Sequence, residues 1–218
     1  MNLKQLNVQI LKKARLITYA FSFLLIILTS LVYFNGSTFD QFAIANALGY
    51  LSFTYISISL AIGPFMKLWP KFELNSSLFI ARRAFGVMSF VFALAHYLLQ
   101  FNFLFNFNVD ALIAANEMSG YGIALGFIPF YLMLALTLTS TDWAMKKLGN
   151  WWHKLHMLTY PAFFLIIAHA VKIGIDFQTG LNLYSGTFLL IALITLGLQL
   201  ARMYKDKKAK KLKAKAAA

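Results

Sequence analysis

Six apolar stretches dominate the chain, at about 16–34, 42–63, 84–105, 121–140, 154–173 and 184–203. A helix rises about 1.5 Å per residue and the hydrocarbon core of a bilayer is about 30 Å thick, so roughly 20 such residues cross it. Inside lipid, each backbone N–H and C=O must find its partner within the segment, which makes a helix the natural form of each stretch. The expected fold is therefore all-α, an integral membrane bundle of six transmembrane helices. Composition agrees, with 60% hydrophobic and 12% charged residues, about half the charge of a soluble domain. The 218 residues suit one domain: an N-terminal segment 1–15, a bundle 16–203 and a basic tail 204–218. The first stretch follows Arg15, ends at Asn35-Gly36-Ser37 and lacks a small-residue cleavage site. It reads as a retained helix rather than a signal peptide.

Charge placement sets the expected orientation. With the N-terminus in the cytoplasm, 19 of the 20 Lys and Arg residues fall on the inner side and Lys172 alone lies outside. That bias follows the rule that cytoplasmic loops hold the basic residues, so both termini are expected in the cytoplasm. The net charge of +13 thus reflects topology and contact with anionic lipid rather than nucleic-acid binding. The tail after Arg202 reads as a solvated charge run or a helical extension on the membrane surface. Trp69, Trp143, Trp151 and Trp152 stand at span ends, where amphipathic rings favour the headgroup layer. The longer 106–120 loop is a candidate lid on the outer face. The chain has no cysteine, which removes disulfides, iron–sulfur clusters and thiolate zinc sites from consideration.

Ionisable residues inside spans are costly and mark function. His96 lies about twelve residues into the third span and His169 about fifteen into the fifth. Both spans start inside, so the two imidazoles reach similar depth in the outer half. That is the arrangement a six-coordinate haem requires, one axial nitrogen from each helix. A hydrogen bond to a neighbouring helix is the simpler role for a single buried histidine. The pairing favours ligation, and zinc lacks a third nearby ligand.

His156 lies 13 residues before His169, roughly 20 Å along a straight helix and on a different face. Pro161, between them, is expected to kink the helix and turn both towards the interior. Arg82 lies 14 residues before His96, at nearly the same face and at His156's depth. The inner His156–Arg82 pair is thus a half-site, suited to a second haem with a weaker ligand, a flavin phosphate, a haem propionate or a quinone. Arg82 and Arg83 also suit plain membrane anchoring, and His153 reads as an interfacial residue beside Trp152. Phe92, Tyr97 and Phe163 read as packing.

These residues carry a resemblance. Leu138-Thr139-Ser140-Thr141, Ala144-Met145-Lys146-Lys147-Leu148-Gly149, Trp152, Leu155-His156, Tyr160 and His169 with Val171-Lys172 resemble the ferric-reductase-like transmembrane domain. They most resemble the haem-binding membrane subunits of the bacterial periplasmic methionine-sulfoxide reductase system, the MsrQ (YedZ) type. Arg82-Arg83-Ala84-Phe85-Gly86 followed by His96 fits that group's third helix, and Gly49 with a helix end at Gly63-Pro64 fits its second. The likeness covers about residues 45–175. It implies haem b, with ligation carried over to His96, His156 and His169, and location in the bacterial inner membrane as a multi-pass subunit. It also implies electrons arriving from quinone or a cytosolic flavin reductase, with FMN a candidate cofactor. They would leave to a periplasmic molybdenum-containing reductase that repairs oxidised methionine. Arg82 stands where two-haem relatives place an inner histidine, and the short tail cannot house a nucleotide-binding fold, which favours one haem fed by a partner. Two alternatives remain at this stage. One is a ferric or metal reductase haem subunit with another acceptor. The other is a proton-coupled transporter, against which stand the absence of an inverted repeat and of a buried carboxylate.

Overall fold

The computed structural model describes residues 3–34 and 36–216, with side chains between 13 and 215. Asn35 of the expected turn and the side chains of Lys4 and Lys12 lie outside that set. Among the described residues ten helices follow in order: α1 (Leu3–Val32), α2 (Gln41–Leu68), α3 (Asn75–Phe105), α4 (Val109–Met118), α5 (Ala124–Leu138), α6 (Asp142–Leu148), α7 (Asn150–His156), α8 (Thr159–Ile173), α9 (Ile175–Gln178) and α10 (Leu183–Ala216). Among these residues five segments are long and apolar enough to cross a membrane, with α7 and α8 together forming one of them. A sixth span results if α5 and α6, bent by 93° across a short break, belong together. The chain is a multi-pass, all-α membrane protein.

Helix α2 is the central pillar, packed chiefly on α3 and on α10, while α5 pairs with α8. Two reciprocal bonds lock the α2–α3 seam: Ser52 Oγ donates to Ser89 O (2.9 Å) and Ser89 Oγ to Ser52 O (2.7 Å). Small residues let two backbones approach closely, and in lipid such hydroxyl bonds hold helices together. Around them the core is aromatic. Phe53 stacks on Phe188 (3.8 Å between centroids) and on Phe163 (5.5 Å), while Tyr55 meets Phe92 edge-on at 4.9 Å. Phe92 and Phe163 are fully buried packing residues, as expected.

The helix boundaries depart from expectation in two places. The second helix does not end at Gly63-Pro64 but continues to Leu68. Proline has no N–H to give Leu60 O, four residues back. Here Gln199 of α10 supplies the missing bond, its Nε2 donating to Leu60 O at 2.9 Å. A neighbouring helix thus repairs the ladder, as membrane helices with proline permit. In the fifth span the break falls at 157–158, between α7 and α8, ahead of Pro161. Pro161 sits in the first turn of α8, where an absent N–H costs least. The tail takes the helical alternative of the two expected, continuing α10 as one unbroken helix to Ala216.

The 106–120 loop also has structure. It carries α4, capped by Asn108, whose side chain accepts from Ala111 N (3.1 Å).

Candidate haem site

His96 on α3 and His169 on α8 line the same cavity, of about 360 Å³, with Gly49, Asn46, Gly126, Phe130 and Met133 among its walls. His169 is near enough for His96 to feel its charge. Each makes one bond to a backbone carbonyl on a different helix or turn. His96 Nδ1 lies 2.7 Å from Ala45 O, and His169 Nδ1 lies 2.9 Å from Gly122 O. A carbonyl oxygen can only accept, so in each neutral ring Nδ1 carries the proton and Nε2 keeps its lone pair. Among the described residues neither Nε2 has a hydrogen-bond partner. Metal-binding histidines show this outer arrangement, one nitrogen fixed by a carbonyl and the other free to ligate.

Two glycines fix the ring planes. A Cβ on Gly49 would stand 3.0 Å from His96 Nδ1, and one on Gly126 only 2.6 Å from His169 Cε1. Each imidazole therefore lies against bare backbone, where any side chain would displace it. The carbonyl of Gly122 is itself aimed by a left-handed turn, with Gly120 at φ 57° and Tyr121 at φ 64°. Lys172 clasps that turn by donating to Gly120 O (2.5 Å), and Asn116 Oδ1 accepts from Ala124 N (2.8 Å). Sequence reasoning named both histidines. It missed Gly126 and the two carbonyls, although a glycine inside an apolar span was a signal. Tyr97, expected as packing, lines the cavity and stacks on Phe101, and α4 contributes Leu112 to the wall.

The cavity suits a flat iron porphyrin by the chemistry of its lining. Its walls are largely apolar and aromatic, two imidazole lone pairs are left for iron, and both are held by outer hydrogen bonds. A tetrahedral metal site would need further ligands. Among the described residues no group of three His, Cys, Asp or Glu comes together.

The other two expected site residues stand at the far end. His156 closes α7, stacked on Trp152 (3.9 Å between centroids), with its Nε2 3.4 Å from Thr139 Oγ1. Trp152 Nε1 donates to Thr139 O (2.9 Å), tying the α7 rings to the end of α5. Arg82 does not touch His156 by a hydrogen bond, though His156 feels its charge and that of Arg83. Its Nε donates to Ser59 O (2.9 Å), while Ser59 Oγ donates to Arg82 O (3.1 Å). Arg83 instead reaches Asp142 of α6 at 2.5 Å. His153 makes an edge contact with Trp152 and none with the cavity.

Comparison with known families decides what kind of bundle this is. The ferric reductase like transmembrane component matches residues 48–167, more than half of the chain. The chain belongs to that family. The matched segment contains Arg82, His96 and His156 and stops two residues before His169. Among curated relatives, the protein-methionine-sulfoxide reductase heme-binding subunit MsrQ of Brucella anthropi is 29% identical over 118 residues, covering 54% of this chain and 50% of the relative. The subunits of the same name from Brucella ovis and Brucella canis are each 30% identical over 117 residues, covering the same 54% and 50%. The chain spans about half the length of the curated relatives it matches. Within the family, the His96–His169 cavity is the feature of this chain best suited to a cofactor.

Proposed function

We propose that this chain is an MsrQ-type subunit that binds haem b between His96 and His169 and passes electrons across the membrane to a partner reductase. The observation that carries this reading is the pair of Nδ1–carbonyl bonds, which leaves two Nε2 lone pairs on one apolar cavity. Bound haem supplies one-electron chemistry, and bis-imidazole ligation in a low-dielectric site sets its potential. The chain's own contribution is to ligate, to hold the ring planes through Gly49 and Gly126, and to exclude water with Phe130, Met133 and Ile166.

The basic residues support a cytoplasmic position for both termini, which puts the His96–His169 cavity in the periplasmic half of an inner membrane. Electrons enter from quinone or a cytosolic flavin reductase at the His156 end. They leave to a periplasmic methionine-sulfoxide reductase with a molybdenum cofactor. The names of the relatives support such a partner. A domain division of 1–15, 16–203 and 204–218 serves this arrangement, although α1 and α10 run across both boundaries.

The absorption spectrum of the purified chain tests the reading. We expect a low-spin Soret band that shifts on dithionite reduction. His96→Ala and His169→Ala should each lose most haem while eluting as folded protein, and His153→Ala should keep it. A colourless wild type, or full haem in both variants, would sink the assignment.

A further inference from the structure

A second polar centre, distinct from the haem cavity, lies where α2, α3 and α10 meet. Arg82 Nη1 stands 3.6 Å from the position a Cβ would take on Gly63, and Arg202 Nη1 stands 3.9 Å from the same point. Two guanidinium groups, 120 positions apart in sequence, thus converge on one bare stretch of backbone. Neither is in a salt bridge among the described residues. Asp206, one turn beyond Arg202, is ion-paired with Lys67 (2.8 Å) and feels the charge of Arg202 without a salt bridge to it, while Asp142 pairs with Arg83 and Arg15. Arg202 also has no hydrogen-bond partner among the described residues. The Gln199–Leu60 bond pins α10 to α2 one turn away, so the two helices hold these like charges near each other. An oxyanion between them would relieve the repulsion and satisfy two planar donor forks.

We propose that Arg82 and Arg202 bind the phosphate of an anionic phospholipid. Its level in the bilayer favours that source. No charged residue occurs between 183 and 201, so Arg202 is the first charge that α10 meets on leaving the apolar core. Leu200, Met203 and Tyr204 around it are exposed, on a helix that packs chiefly against α2. Lys205, whose Nζ donates to Lys67 O (2.8 Å), adds positive charge at the same rim, while Lys67 is balanced by Asp206. A net-negative headgroup is attracted by that surplus, whereas a zwitterionic one gains little.

Native mass spectrometry of the full delipidated chain, titrated with phosphatidylglycerol or phosphatidylcholine, reads this out. We expect phosphatidylglycerol to bind at least tenfold more tightly. Arg202→Gln should abolish the preference, Arg202→Lys should restore part of it, and Lys210→Gln on the exposed tail should leave it intact. Retention of the preference in Arg202→Gln would overturn the proposal. So would a variant that binds phosphatidylglycerol normally but loses flavin mononucleotide, since the phosphate would then come from a soluble cofactor. Haem content of the same samples reports separately on His96 and His169, so the two readings fail independently.

Discussion

The ring of His169 lies flat on Gly126, whose missing Cβ would stand 2.6 Å from Cε1 and 3.0 Å from Nε2. The space that this absent Cβ leaves free borders the nitrogen proposed to hold iron, so the glycine acts on ligand geometry through room left open rather than through any bond. Gly49 does the same for His96 at 3.0 Å from Nδ1. The two contacts differ in severity, because 2.6 Å cannot be tolerated without movement while 3.0 Å asks for a few tenths of an ångström.

Gly126→Ala should therefore weaken haem retention by about 10- to 100-fold, the range typical of lost outer-shell support. Gly49→Ala should weaken it less. Haem-to-protein ratio after purification measures both, and equal retention in Gly126→Ala and wild type would contradict the proposed role.

The Ser52–Ser89 clasp makes a stability prediction. Ser89→Ala removes a donor from a wholly buried seam and should cost about 0.6 kcal/mol, rising to about 2 if the freed Ser52 carbonyl finds no other partner. Reversible unfolding in mixed micelles would show it. Ser89 does not line the cavity, so haem binding in the folded protein should be unchanged.

Asp142, on the helix that turns away from α5, gives a pH dependence. The hydrogen bond from Arg83 holds its carboxyl below the ordinary range, with the charges of Arg83 and then Arg15 adding to the effect. A depressed carboxylate contributes stability above its unfolded value of about 3.9 and loses it as pH falls through the lower folded value. The tether between α6 and α3 should thus hold at neutral pH and loosen only below about pH 4. Hydrogen exchange in α6 should rise in that window, and Asp142→Asn should show the raised exchange already at pH 7. Because the pair is exposed, high salt should weaken it.

Topology can be tested directly, since the chain has no cysteine. A membrane-impermeant maleimide should label Asn108→Cys in intact cells and Lys208→Cys only after permeabilisation. The reverse pattern would overturn the orientation inferred from the basic residues.

Hydropathy and charge, read along the chain, were enough for an all-α bundle of six spans, against five or six in the structure, and for singling out His96 and His169. Those properties are local: twenty apolar residues must become a helix in lipid whatever surrounds them. Tertiary structure decided the rest, because each feature needs groups that are distant in sequence. Pro64 lies within α2 only because Gln199 bonds to Leu60 O. The imidazoles present their Nε2 atoms only because Ala45 and Gly122 take up Nδ1. Arg202 joins Arg82 only because α10 packs beside Gly63. Periodicity sets which side of a helix a residue occupies, whereas the partner that fixes its orientation is set by the packing of three helices at once.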